Sequence, residues 1–600
     1  MNNFSSRTDV TIFDLRNCGW KAAINGWDRD GYFSLCLALF AAAKSTYDDG
    51  QESSGYALWL MASACELTLT PASTNKPFNA CSKFALEDFR QSEIAGFAEF
   101  SEEIDEPWLQ ARIADLAWLL STPRVPALAL LAIDAYRRVP LNLYSWLRDG
   151  RECWERALVL GNLLGGGAGN RLAEMKATIL IAFNGTASTQ GYLGFWLSEL
   201  LLSQTLEDAR FVEIAEKLEL MAMQFQAAID HQKSRDYFEA AASWYKRSKN
   251  VSKAIDMTIC RVEGWVKEAE IQPLQTLAIR KFEKAIQVYR LISKVELENR
   301  GANGRVGELH IAMRNAGKLS LSEMPRIKTN PIDISDTVAS VQRLVSGKPI
   351  AIAIGVFANF YEANEARARK TAETTLKQSP LSQLFSTSQL THDGRISAKT
   401  AAVGANDPQD GAYKTMLWHE MVRGYQIEIN YVVQAEIWPA LKILNLEHRF
   451  REQDLVAIAK GSPLVPLDRI RLVGRALYMG FDGDFATALH LMIPQIENMV
   501  RTQLQAREIK TSTLKDGIET ENGLSALVKL PEVKEIFGDN IAFELEALFC
   551  GPVGPNLRNE LAHGLLSDAR CQTSTVVYAW WFGLKLVFNT FWNAGNSEVV

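Results

Sequence analysis

Apolar residues recur every three or four positions along most of this chain, the spacing of one face of an α-helix. From Trp27 to about Leu200 the pattern is carried by segments such as Leu109-Gln-Ala-Arg-Ile-Ala-Asp-Leu-Ala-Trp-Leu-Leu120 and Ala127-Leu-Ala-Leu-Leu-Ala-Ile-Asp-Ala-Tyr136. Each predicts an amphipathic helix with its apolar stripe against a core. Gly165-Gly-Gly-Ala-Gly169 follows a helical run, and no Gly-Lys-Ser/Thr comes after it, so it reads as a connection between helices and not as a phosphate loop. In the middle of the chain Phe238-Glu-Ala-Ala-Ala-Ser-Trp-Tyr-Lys246 matches Phe282-Glu-Lys-Ala-Ile-Gln-Val-Tyr-Arg290, 44 positions on, and Ala132-Ile-Asp-Ala-Tyr-Arg137 echoes its second half. Small Ala where helices touch, with Tyr one turn later, suits stacked helical hairpins of an α-solenoid.

The helical pattern breaks near Gly301 and again at Met324-Pro-Arg-Ile-Lys-Thr-Asn-Pro331, which places a boundary between about 300 and 335. Helices are expected around 333–347 and 351–378, followed by a polar tract from Ser379 to Asp410. Within that tract Asp393-Gly394, flanked by alternation over 389–397, predicts a short β-hairpin. The last 140 residues read as a helical bundle. A helix runs over Leu467–Met479, and a second, capped by Asp484, reaches about Glu508 with a kink at Pro494. A polar loop is expected at 511–523, then a short helix, then Asn540–Phe549, and a long aromatic helix from about Thr573 closes the bundle. The expected organisation is an all-α fold: an N-terminal helical domain (1–204), helical-hairpin repeats (205–300), a linker with a mostly helical domain and small hairpin (301–464), and the bundle (465–600).

Composition narrows the classes. Apolar residues make up 47% and charged residues 22% of the chain, ordinary for a soluble protein. A net charge of −6 argues against a generic nucleic-acid coat, whose affinity rests on phosphate neutralisation, but leaves room for a few local arginines to grip RNA. The eight cysteines form no Cys-x-x-Cys pair and lie near no histidine cluster, so they read as buried reduced thiols of a cytoplasmic protein. The opening MNNFSSRTDV lacks the basic and apolar regions of a secretion signal. Gly31–Ala43 is too short for a membrane span, and Lys585 and Asn589 interrupt Val576–Trp592, which reads as a buried helix. His419-Glu420 lacks the second histidine of a zinc helix, so neither metal nor cofactor is expected.

The stretch Asn556-Leu-Arg-Asn-Glu-Leu-Ala-His-Gly-Leu565 carries the chemistry. It places Arg558, Asn559 and His563 near the start of a predicted helix, entered from the loop Gly551-Pro-Val-Gly-Pro555. A cation, an amide and an imidazole at a helix N-terminus form a phosphate-handling set. The Arg-x4-His spacing alone is weak, because chance supplies it in about one such chain in three. A second copy, Arg305-Val-Gly-Glu-Leu-His310, has Val306 where Asn559 stands in the first.

The C-terminal constellation resembles the HEPN superfamily of small helical bundles. Closer still, it resembles a bacterial family of unknown function with an RNxxxHG signature. Arg558, Asn559, His563 and Gly564 match that signature, and Pro494-Gln-Ile-Glu-Asn-Met-Val-Arg501 resembles the family's earlier helix. Ala111–Trp118 is similar to a segment of its long members. The resemblance implies a metal-independent ribonuclease of the toxin or antiviral-defence kind, acting on RNA as a homodimer joined through the C-terminal bundle. On a helix Asn559 and His563 share a face, while Arg558 points to the side and must reach round, or the first turn must be irregular. In that reading His563 moves the proton of a ribose 2′-OH or of the leaving oxygen, Arg558 clamps the phosphate, and Asn559 orients the imidazole or phosphate. Glu497 and Arg501, four apart, are supporting residues or an ion pair tying helices. Arg469, Arg471 and Arg475 line an RNA path or form a solvated face. The alternative is a non-catalytic scaffold whose repeats bind a protein partner and whose bundle serves dimerisation. Nucleotidyl transfer is disfavoured, since Leu565 stands where the transferring version carries Tyr.

Overall fold

Helical periodicity becomes helix nearly throughout the computed structural model, which describes residues 10–81, 84–325, 330–379, 383, 385–391, 393–402 and 411–597. Among them the only strands form three two-stranded antiparallel hairpins, so the fold is all-α. Contacts divide the chain into two units, Met1–Met313 and Arg314–Val600, in place of four segments. One apolar core runs from Leu15 to Met257, across the boundary expected near 204. Another runs from Val345 to Phe588, across the one expected near 464.

In the first unit the helix Pro107–Leu120 departs from its expected amphipathic form. Every side chain from Trp108 to Leu119 is buried, polar ones included. The polar side chains find partners inside the unit, with only Arg112 Nε left without one. Gln110 Nε2 donates to the Ser101 carbonyl (3.0 Å), Arg112 to the Leu67 carbonyl (2.8 Å), and Asp115 receives both arms of the fully buried Arg156 at 2.9 Å. The Gly165–Ala168 turn joins Arg151–Leu164 to Arg171–Asn184 as a helix connection.

The internal repeat is structural. Helices Asp208–Ala227, His231–Arg247, Val251–Glu270 and Gln275–Tyr289 pack each on the next. Phe238 and Phe282 are each the eighth residue of their helix, and Ala241, Ala285, Tyr245 and Tyr289 are buried behind them. Tyr245 donates to Glu219 (2.5 Å) and Tyr289 to Glu263 (2.6 Å), glutamates also 44 apart on the preceding helices. A cation completes each set, Lys253 at 2.9 Å and Arg305 at 2.8 Å. The repeat therefore extends to a partner that the matching residues alone did not disclose. The second Arg-x4-His copy is spent here: Arg305 holds Glu263, and His310 Nε2 lies 2.9 Å from Arg290.

The second unit is built around Ser574–Ser597. Val576 to Phe582 are wholly buried, so the apolar run is a core helix, and no described helix is long and apolar enough to cross a membrane. Ile470–Phe481 approaches so closely that a Cβ on Gly480 would lie 2.0 Å from Trp580. Ile350–Ala358 joins the same core, with Trp581 Nε1 donating to the Phe357 carbonyl (2.9 Å). The helix expected over 351–378 is in fact two, Ile350–Ala358 and Glu365–Gln378. Asp484 caps Phe485–Gln505 through the Thr487 amide (2.9 Å), a bond typically worth about 1 kcal/mol. That helix continues through Pro494, where the kink was expected, as one span from Phe485 to Gln505. The hairpin Thr387–Leu390/Ile396–Thr400 turns at Gly394 (φ +81°), with His392 and parts of the surrounding polar tract outside the described residues. The expected polar loop at 511–523 is a second such hairpin, Ser512–Lys515/Ile518–Glu521, turning on Asp516-Gly517. Both turn residues take positive φ, which the Asp-Gly pair signals.

Glu544, fully buried in this unit, accepts from Tyr425 (2.8 Å) and Tyr578 through one oxygen. Burial pushes its pKa up, against the opposing pull of Lys585 and the two hydroxyls. A raised pKa means stability present at low pH and lost as pH rises through the folded value. Glu544→Gln is neutral at every pH, so chemical denaturation at pH 5 and pH 8 should show the wild type losing more stability than the variant over that interval. Equal losses would remove Glu544 as the source.

Candidate functional site

The motif helix is short, Leu557–Ala562, and its ends explain several of its residues. Asn556 precedes it in the left-handed conformation (φ 50°, ψ 39°), and Leu557 anchors it, 1% exposed. At the other end Gly564 (φ +64°) donates to the Leu561 carbonyl (3.0 Å), and Leu565 donates to that of Glu560 (2.8 Å). These two bonds close a Schellman motif, in which glycine is favoured because it takes left-handed backbone without a Cβ clash. The glycine after the histidine thus ends the helix. His563 is its C-terminal cap and not part of its first turn, which corrects the expected arrangement of all three groups at one N-terminus.

Arg558 does reach round. Its Nη1 lies 3.4 Å from Asn559 Oδ1, and its Nε donates to Glu497 Oε2 at 3.0 Å. Glu497, on Phe485–Gln505, also takes Arg501 through its other oxygen (2.9 Å). Arg501 is further held by the Asn522 carbonyl (2.7 Å), and its Nε lies 3.1 Å from Glu521 as an ion pair without hydrogen-bond alignment. Burial pushes the Glu497 carboxyl up, but the hydrogen bonds from Arg558 and Arg501 outweigh it and hold it below its ordinary value. The expected i,i+4 pair is therefore one half of a three-residue bridge between two helices.

His563 follows Asn559 by one turn, its amide donating to the Asn559 carbonyl (3.0 Å). Its side chain is exposed and makes no hydrogen bond or ion pair with any described residue. Arg558, Asn559, Glu497 and Arg501 are thus brought together, with His563 a turn away at the surface. The three candidate RNA-path arginines are placed elsewhere. Arg469 lies beside Asp468 (3.1 Å), and Arg471 and Arg475 are exposed on Ile470–Phe481. That helix packs mainly on Glu452–Gly461, Phe485–Gln505 and Ser574–Ser597, while the motif helix packs on Phe485–Gln505 and Pro531–Phe549. No bond among the described residues links these arginines to the motif.

Three features of the site were not read from sequence. Glu560, inside the motif, pairs with Arg570 (2.6 Å). Gln389 of the first hairpin donates to the Val553 carbonyl (2.9 Å), docking the hairpin on the Gly/Pro loop. Gly523 lies under the Arg558 guanidinium, where an added Cβ would stand 3.2 Å from Nη2. Only the acidic residue at 560 offered a signal, as a charge needing a partner. Gly523 has φ −74° and ψ 166°, which any residue adopts, so Gly523→Ala tests contact and not backbone strain. If the chain cleaves RNA, as the resemblance implies, that cleavage should fall by roughly tenfold, since misplacement of a positioning group is costly, with a melting-temperature change of no more than about 2 °C; unchanged cleavage would show that the Arg558 position is not rate-determining.

A family model for a domain of unknown function, DUF7380, matches residues 5–173, under a third of the chain and wholly within the first unit. No curated protein and no solved structure matches significantly. What this chain is similar to is therefore a domain of unassigned role at one end, while the Arg558–His563 site lies in the other unit.

Proposed function

We propose that the chain is a ribonuclease-type effector whose C-terminal bundle is HEPN-like and cleaves single-stranded RNA at a composite site made by two copies. The observation that carries this reading is an anchored guanidinium on a six-residue helix whose C-terminal cap is an exposed, unbonded imidazole. One copy offers a single histidine, whereas the reaction moves two protons. In a symmetric pair, one imidazole takes the proton of the ribose 2′-OH as its oxygen attacks phosphorus. The other protonates the 5′-oxygen as the P–O5′ bond breaks. Arg558 keeps donors beyond those given to Glu497 and Asn559, and these meet the charge developing on the phosphate. The products are a 2′,3′-cyclic phosphate and a 5′-hydroxyl. Cytoplasmic RNA is the expected substrate.

The test is RNA incubated with purified protein in EDTA, read for cyclic phosphate ends, alongside the solution mass. Cleavage by a species of two chains is the expected result; a strictly monomeric protein inactive on every RNA supplied would sink the reading. The bridge Arg558–Glu497–Arg501 favours a second reading, in which the motif arginine staples the bundle and the chain is a non-catalytic scaffold with a partner on its repeats. Activity lost on changing repeat surfaces, with His563→Ala indifferent, would select that one.

A further inference from the structure

A cleft of about 550 Å³ opens beside the motif, walled by the Thr387–Thr400 hairpin, the helix Gly411–Val432, the Gly/Pro loop and the start of Ser574–Ser597. We propose that this cleft docks one nucleobase of the RNA strand. The proposal rests on the ribonuclease reading for its choice of ligand. Three polar side chains line the cleft with capacity to spare. Gln426 and Thr575 make no side-chain hydrogen bond with a described residue, and Asn556 Oδ1, shielded from solvent, receives no donor. Shielded polar atoms left without a partner cost stability, and a ligand edge bearing donors and acceptors relieves that cost.

Charge selects the part of the nucleotide. Both arginines of the cleft are already neutralised, Arg395 by Asp393 (2.8 Å) and Arg570 by Glu560 (2.6 Å). A phosphate gains little there. A neutral planar heterocycle gains guanidinium faces to stack on and amides for its edge, the usual means of reading an unstacked base. The volume falls within the range of small-molecule sites. Asn556 and Glu560 flank Arg558 and Asn559 in sequence, so a base in the cleft sits next to a phosphate at the motif.

The experiment is ligand-observed saturation-transfer NMR on the full chain with each of the four ribonucleosides, using wild type, Gln426→Ala and Asn556→Gly. Glycine accepts the left-handed backbone at 556, so that variant removes the amide and keeps the turn. We expect at least one ribonucleoside to bind. Its affinity should be about tenfold weaker in Gln426→Ala and in Asn556→Gly, the loss of one net hydrogen bond. No transfer to any ribonucleoside at about 10 mM, where even a millimolar site is largely filled, overturns the proposal. So does binding indifferent to both cleft variants. Nucleoside binding by a protein that never cleaves RNA keeps the cleft and sinks the ribonuclease reading; cleavage without nucleoside binding does the reverse.

Discussion

His563→Ala should abolish RNA cleavage, lowering the rate by about 10²–10⁴-fold, the usual worth of a positioned general acid or base. Both protons of the proposed reaction pass through this imidazole and its copy, so one substitution removes both transfers. The fold should not notice. The side chain is exposed and unbonded among the described residues, and the helix is ended by the backbone bonds of Gly564 and Leu565. The check is cleavage rate beside thermal unfolding: rate lost and melting temperature kept is the expected pair. Full activity in a well-folded His563→Ala protein would remove the histidine from the chemistry. Arg558→Ala is a poorer probe, because it also strips Glu497 of a partner that holds its charge in a half-buried site.

The largest effect on stability belongs to the other unit. Asp115 and Arg156 are both fully buried and bonded twice at 2.9 Å, and Tyr136 donates to the same carboxylate at 3.0 Å. Asp115→Ala leaves a guanidinium in the core without its counter-charge, at a cost of about 3–5 kcal/mol. Replacing the pair together, Asp115→Leu with Arg156→Met, should recover most of that, because the penalty comes from the uncompensated charge and not from losing a strong attraction. Urea unfolding of wild type, single and double variants measures it. A single variant within about 1 kcal/mol of wild type would show that Arg156 finds water or another partner. Since the DUF7380 match ends at residue 173 and includes both residues, the same pair is a place to look for a structural constraint in that domain.

The helices were legible because a single periodicity specifies them, and the all-α fold followed. The hairpin at 387–400 is legible from Asp393-Gly394, and Asp516-Gly517 carries the identical signal inside a polar tract. Burial was read less well. Pro107–Leu120 carries Arg112 and Asp115 three apart, a spacing that describes a solvent face equally well as a set of internal hydrogen bonds. At the motif, sequence named Arg558, Asn559 and His563, and placed Glu497 and Arg501 four apart. It had no means of joining Glu497 to Arg558, 61 positions away.

The sequence by itself thus determined the helices, their repeat and the residue types at the motif, because these depend on near neighbours along the chain and on the period of the backbone. Tertiary structure decided which arginine is bridged, which histidine is left exposed, and which polar groups are satisfied inside the core. Those outcomes depend on groups brought together from distant positions, where the cost of an unpaired buried charge or amide is settled by whatever lies across the interface.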